Sequence, residues 1–274
     1  MHPTSAFALT PPTRAHATAW ETACRGLFRD LVIIFGGWGS GAAGEQLRPV
    51  PGRPTGTSEL LESVRALGDP PLGKLDITAF EGALMNAKGV QQAEAFIRSL
   101  FHPLGRLVIY GYSAGGLDAI SLAWRIWQGP SYYDFATRRL VTGYRAASPD
   151  LGIVRVDLLV TVDAASGPTS SVVFRNIPPG VRKNINYYQT NPAGRPTGGG
   201  TASGARSHGG PANAVDSTAT IVENHDLTAR YAANPGQAHG LIDNDTNEDV
   251  LQAIRGTLGY EATPPLLPNG TMAG

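Results

Sequence analysis

The chain has 274 residues, 42% of them apolar and 16% charged, and its 22 basic residues balance 22 acidic ones. That composition is globular and excludes a disordered chain, and the length fits one α/β domain with a sizeable core. A neutral chain carries no electrostatic footprint for nucleic acid or an anionic membrane, while an acyl or lipid-like substrate bound through apolar contacts stays compatible.

Cys24 is the single cysteine, so no intrachain disulfide forms and a Cys/His zinc site is disfavoured. The opening residues, MHPTSAFALTPPTRAHATAW, lack a basic segment followed by an apolar one, so no signal peptide is read. No apolar run approaches the length of a membrane span. The expected location is the cytoplasm; a chain whose leader has been removed, or one exported without a leader, reads the same way.

Residues 1–30 are rich in Pro, Thr and Ala and read as an N-terminal arm. Leu31 to Phe35 (LVIIF) is a continuous β-branched and apolar run that stops at Gly36-Gly37-Trp38-Gly39. Such a run reads as a strand buried on both faces. Residues 40–57 read as a Gly/Pro loop, and 58–67 (SELLESVRAL) as a short helix with Ser58 near its cap. Lys74 to Phe80 reads as the next strand, and 86–101 has apolar residues at helical spacing. Arg106 to Tyr110 (RLVIY) is a second buried strand that runs into Gly111-Tyr112-Ser113-Ala114-Gly115-Gly116. A helix follows, with Leu117, Ile120, Trp124 and Trp127 expected on one face. Val156 to Asp163 (VDLLVTVD) is a third strong strand, and Lys183 to Gln189 a weaker fourth. Residues 191–216, dense in Gly, Ala, Ser, Asn and Pro, read as a long flexible surface insertion. Ile221 to Asp226 reads as a final strand or its exit, and Asp249 to Leu258 as a last helix. Residues 261–274 form a C-terminal tail. Strands alternating with helices predict an α/β domain over 31–260, its mostly parallel sheet covered by helices on both faces.

Gly111-x-Ser113-x-Gly115 falls between a strand and a helix, a setting that suits a nucleophilic serine. Such a serine projects from a very tight turn, and glycines two residues before and after it remove the Cβ atoms that would collide there. The following helix aims its unpaired N–H groups at the reacting centre. On these residues, LVIYGYSAGG resembles the nucleophile elbow of the α/β-hydrolase superfamily, especially lipases and esterases. By element order the resemblance spans residues 31–258.

The resemblance implies an α/β-hydrolase fold. The short connection from Ala164 to Arg182 adds that there is no large cap domain. It also implies an oxyanion hole, with one donor at the N–H of Ala114 and another in the loop that ends the first strong strand. That second donor is Gly37 or Trp38; Phe35-Gly36 stands where such loops often begin with His. The superfamily order of Ser, then acid, then His points to Asp163, since the next strand end, Tyr188-Gln189-Thr190-Asn191, offers no carboxylate. Asp157, at the start of the same strand, points to the other end of the sheet. Among six histidines, His2, His16 and His102 precede the elbow, and His208 lies in the Gly-rich insertion. His239, just before the last helix, is expected as the base, with His225 as rival. Trp38, Tyr112, Tyr187 and Tyr188 are candidates to line an acyl pocket. The implied activity is a serine esterase or lipase that needs no metal or organic cofactor. A thioesterase or acyltransferase with the same triad, and a catalytically silent binding protein of this fold, are the alternatives.

Overall fold

The apolar run after Arg29 becomes the strand β1 (Arg29–Gly36), and its side chains divide by parity. Val32 and Ile34 enter one core, while Leu31, Ile33 and Phe35 enter the other. This is why the run shows no alternation of polar and apolar residues: both faces are covered. A computed structural model of the chain describes residues 29–37, 56–70, 74–82, 88–99, 104–128, 132–134, 139–141, 155–165, 174–191 and 210–260. The elements after β1 are α1 (Gly56–Arg65), β2 (Lys74–Glu81), α2 (Lys88–Ser99), β3 (Leu104–Tyr112), α3 (Ala114–Gln128), β4 (Tyr132–Asp134) and β5 (Arg139–Val141). They continue with β6 (Val156–Val162), β7 (Asn176–Ile177), β8 (Val181–Tyr188), β9 (Asn213–Ala214), β10 (Ile221–Asp226), α4 (Ala238–Asp245) and α5 (Asn247–Thr257).

Six strands form one parallel sheet in the order β10-β8-β6-β3-β1-β2. The chain therefore starts inside the sheet, steps outward to β2, and returns across β1 to β3. From there β6, β8 and β10 extend the sheet in the new direction. Crossovers of one hand require the connecting helices to change face when the direction reverses. Accordingly, α1 packs on the face of Val32 and Tyr110, and α2 and α3 pack on the face of Ile33 and Ile109. Helices α4 and α5 join α1. The reversal falls between β1 and β3, where the two outgoing connections leave on opposite faces. In open α/β sheets that point is the crevice where ligands bind, at the carboxyl ends of the strands.

The packed face of α3 differs from the expected one. Ala119, Leu122, Ala123 and Ile126 recur at i, i+3, i+4 and i+7 and are buried together with Ile120, whereas Trp127 is exposed. Each buried Leu or Ile there contributes about 1.5–3 kcal/mol. Arg125 of α3 pairs with Glu94 of α2, a buried link between the two helices. Helix α1 starts at Gly56, before the expected Ser58 cap, because a carboxylate from α4 accepts its N-terminal hydrogen bonds. Of the expected flexible insertion, residues 191 and 210–216 are described; there Asn224 of β10 bonds both the N–H and the C=O of Ala212, at 2.8 and 3.0 Å. The adjoining β9 then pairs with β7. Residues 192–209 of that insertion, Cys24, most of the expected N-terminal arm and the expected tail beyond Tyr260 lie outside the described residues. Among the described residues, no helix is long and apolar enough to cross a membrane.

Candidate active site

Strand β3 ends at Tyr112, and Ser113 occupies the turn before α3 with φ 57°, a left-handed conformation rare for a residue with a Cβ. The glycines around it answer to close approaches. A Cβ on Gly111 would stand 2.2 Å from the Gly115 carbonyl oxygen. One on Gly115 would stand 2.4 Å from the Phe35 oxygen and 2.5 Å from the Gly36 oxygen. The first turn of α3 is thereby pressed against the ends of both β3 and β1. The Ser113 N–H donates to Val162 O at 3.0 Å, and Ser113 O accepts from Gly116 and Ala165 at 3.0 and 3.1 Å. The strained turn is thus fastened to the end of β6.

Asp163 follows β6 directly and is fully buried, with φ 40°. Its Oδ2 lies 2.7 Å from His239 Nδ1, and His239 Nε2 lies 2.8 Å from Ser113 Oγ. A carboxylate only accepts, so Nδ1 carries the proton and Nε2 accepts from the Ser113 hydroxyl. The three residues thus form one hydrogen-bonded line, Ser113 to His239 to Asp163.

His239 sits in the first turn of α4, a short helix that the sequence reading does not include, just before the last helix α5. A 3-10 turn at Pro235–Gln237 leads into α4, with Pro at its first position. The rival His225 lies on β10, exposed, with its ring stacked on Tyr187 at 4.7 Å between centroids. The structure brings His239 to Ser113 and places His225 on the edge strand. His2, His16, His102 and His208 lie outside the described residues. Asp157, at the opposite end of β6, accepts the Leu107 N–H at 3.0 Å.

Of the oxyanion candidates, Ala114 opens α3, so its N–H belongs to the first turn, whose donors have no intrahelical partner. Gly37 follows β1 beside Ser113: a Cβ there would be 3.3 Å from Ser113 Cβ. Trp38, expected both as a donor and at the substrate, lies outside the described residues. Tyr112, expected at the substrate, is placed against His239. It is buried, its ring stacks on His239 at 5.2 Å, and its hydroxyl donates to the His239 carbonyl oxygen at 2.6 Å. Burial, with Asp243 and Asp163 nearby, holds that hydroxyl well above the ordinary tyrosine range, so it stays protonated as a donor. Tyr112 thereby ties β3 to the helix that carries His239. Tyr187 is core beneath His225, and Tyr188 donates to Asp226 at 3.3 Å.

Gln189 is a residue the sequence reading passed over. Its Nε2 donates to Asp163 Oδ2 at 2.9 Å, and its Oε1 accepts the Asn191 N–H at 2.7 Å. The strand end that offers no carboxylate offers an amide, which fixes the carboxylate of its neighbour. The available signal was position: Gln189 ends the strand next to the one that ends at Asp163.

No family model matches the chain, and no curated protein matches it. Among solved structures, a crystal structure of an uncharacterized protein from Pseudomonas aeruginosa is similar at 12% identity and a TM-score of 0.32, over 85% of this chain. The chain spans 47% of the length of that protein.

Proposed function

We propose that the protein is a serine hydrolase of the α/β-hydrolase type that cleaves a carboxylic ester through an acyl-enzyme on Ser113. One observation carries the reading: the continuous contact from Ser113 Oγ to His239 to Asp163, at 2.8 and 2.7 Å. The chain order Ser, Asp, His and the position of Ser113 in a Gly-x-Ser-x-Gly elbow between strand and helix support it. So does the location of the elbow at the reversal point of a parallel sheet.

In this mechanism Ser113 Oγ attacks the ester carbonyl carbon as its proton passes to His239 Nε2. The carbonyl electron pair moves onto oxygen, where the N–H of Ala114 and one from the Gly37–Trp38 segment receive it. Asp163 holds the imidazole in the reactive tautomer and stabilises the imidazolium. Collapse of the intermediate expels the alcohol, which takes the proton from Nε2. Water then attacks the acyl-enzyme by the same route, releasing the acid and restoring Ser113. Each proton moves between the reactants and a named atom of the chain.

The test is hydrolysis of p-nitrophenyl esters of several acyl lengths, with matching thioesters alongside, by wild type, Ser113→Ala, His239→Ala and His225→Ala. Ser113→Ala and His239→Ala are expected to lose at least about a thousandfold in kcat. His225→Ala is expected to stay within about twofold of wild type, since an exposed residue off the reacting line contributes little. Equal turnover by wild type and Ser113→Ala refutes the reading.

A further inference from the structure

Helix α4 carries a second buried acid. Asp243 lies four residues after His239, on the same face of the helix, and is 1% exposed. Its Oδ2 accepts the Thr57 N–H at 2.9 Å. Its Oδ1 accepts the Thr57 hydroxyl at 2.9 Å and the Tyr110 hydroxyl at 3.0 Å. A single carboxylate therefore joins three elements. One is α4, which carries the base. Another is β3, which ends at the nucleophile. The last is α1, the first described element after β1 and its candidate oxyanion residue. The contact with α1 is close, since a Cβ on Gly56 would stand 2.3 Å from the Asp243 carbonyl oxygen.

The spacing of these bonds is regular. Tyr110 and Tyr112 are two residues apart on β3, about 6.6 Å along a strand. Their hydroxyls reach Asp243 and the His239 carbonyl, four residues apart on α4, about 6 Å along a helix. The two hydrogen bonds tie the His239 helix to β3 at two points, immediately before Ser113. Burial and the charge of Asp243 hold the Tyr110 hydroxyl well above its ordinary range, so it too remains a donor.

We propose that Asp243 is a positioning residue of the active site: its carboxylate locks the His239 helix to β3 and α1, and its negative charge stabilises the imidazolium formed on His239. The inference rests on the triad reading given above. The alternative, that Asp243 only caps helix α1, does not account for the bond it accepts from the Tyr110 hydroxyl of β3. A neutral Asn at the same place could accept from the Thr57 N–H and donate to the hydroxyls of Thr57 and Tyr110, which can rotate to accept. The carboxylate's charge suits the N-terminus of α1 and lies on the same face of α4 as His239. Besides Asp243, the titratable groups facing His239 among the described residues include Asp163 after β6 and Tyr112 of β3. Asp243 itself faces Tyr110, Tyr112 and His239, and from α1 the uncharged Thr57. Tyr231, after β10, lies within electrostatic range of Asp163.

The experiment compares full-length wild type, Asp243→Asn and Tyr110→Phe. The readouts are fluorophosphonate labelling of Ser113, kcat and KM on p-nitrophenyl butyrate across pH, and thermal melting. Asp243→Asn is expected to lose about tenfold in kcat with KM within about twofold, and to shift the acid limb of its pH–rate profile to lower pH. Tyr110→Phe keeps the charge but removes one rung. It is expected to lose about threefold in kcat with the acid limb unmoved. If Asp243→Asn fails to fold, Tyr110→Phe still decides the locking role, and wild-type kcat in that variant overturns it. A folded Asp243→Asn with wild-type kcat and an unmoved acid limb overturns the proposal while leaving the triad reading standing. A wild type that neither labels at Ser113 nor turns over overturns the triad reading and this proposal together.

Discussion

Replacing Gly37 by Ala adds one carbon where the candidate oxyanion segment, the support of the base and the nucleophile meet. The new Cβ would lie 3.1 Å from Tyr112 Cδ1 and Cε1 and 3.3 Å from Ser113 Cβ. Comfortable carbon contacts are about 3.5–4.0 Å, so a retreat of roughly a third of an ångström is required. Tyr112 cannot withdraw without pulling on its 2.6 Å bond to the His239 carbonyl. Ser113 cannot withdraw without straining its backbone bonds to Val162 and Ala165. A misplacement of 1 Å at reacting groups costs on the order of a hundredfold in rate; one third of that, taken logarithmically, is about fivefold, or ~1 kcal/mol. The assay is kcat/KM on p-nitrophenyl butyrate, paired with thermal melting. Gly68→Ala supplies the contrast: φ is +67° there and no atom lies within 4 Å of the added Cβ. It is expected to lose about 1 kcal/mol of stability, a fall of ~2–4 °C in Tm, with no change in rate. Wild-type kcat/KM in Gly37→Ala, or equal rate losses in both variants, refutes the placement of Gly37 against the catalytic groups.

Gln189→Leu removes a donor from Asp163 and leaves the Asn191 N–H without its side-chain acceptor. Stability should fall by about 1–3 kcal/mol and kcat by a few-fold, since His239 still holds the carboxylate; urea melts and turnover check this, and no change in either counts against the link. The Asp243 carboxyl is raised above its ordinary value of 3.8, first by burial, against the lowering effect of its bonds to Thr57 and Tyr110 and the charge of His239. Between the unfolded value and that raised folded value, the native state binds more protons than the unfolded one, so stability falls as pH rises through the window. Asp243→Asn lacks this penalty. Its stability relative to wild type should therefore climb from pH 4 toward neutrality in urea titrations, and a relative decline contradicts the sign.

The line from Ser113 through His239 to Asp163 was legible in the sequence to the extent that local pattern encodes it. Ser113 stands in a turn whose glycines are demanded by backbone contacts. Asp163 ends a strand whose apolar run has a definite stop. His239 was reached by chain order, yet its helix was not read. AHGLIDND holds one Gly, one Asn and two Asp, residues of poor helix propensity, and what stabilises it is burial of Ala238, His239, Ile242 and Asp243 against β3 and α1. Asp243 had no signal at all. Its partners lie 133 and 186 residues away, and the bonds exist only once β3 and α1 are packed. Tyr112 shows the same limit from the other side. An aromatic residue beside a nucleophile reads as pocket lining, and only the fold reveals that its hydroxyl is engaged by the base helix. The residues that perform the proposed chemistry sit at sequence punctuation, whereas those that hold them in place are specified by tertiary approach.

Among the described residues, the non-glycine positions with positive φ are Ser113 at 57° and Asp163 at 40°, both in the hydrogen-bonded line with His239. Strain of this kind costs about 1–2 kcal/mol and persists only where the surroundings hold it. Here the holding bonds are Ser113 N–H to Val162 O, Ala165 N–H to Ser113 O and Asp163 N–H to Tyr187 O. Two substitutions separate strain from chemistry, because both remove the nucleophile. Ser113→Ala keeps a Cβ in the left-handed turn, while Ser113→Gly releases it at the expense of about 0.5–1 kcal/mol of unfolded-chain entropy. The glycine variant should therefore be the more stable by up to ~1 kcal/mol, a Tm difference of about 2–4 °C, and both should be inactive on esters. If the alanine variant melts higher, the left-handed turn at Ser113 is not imposed by its surroundings. The serine would then be free to leave its line with His239, and the preorganisation on which the proposed attack depends would be absent.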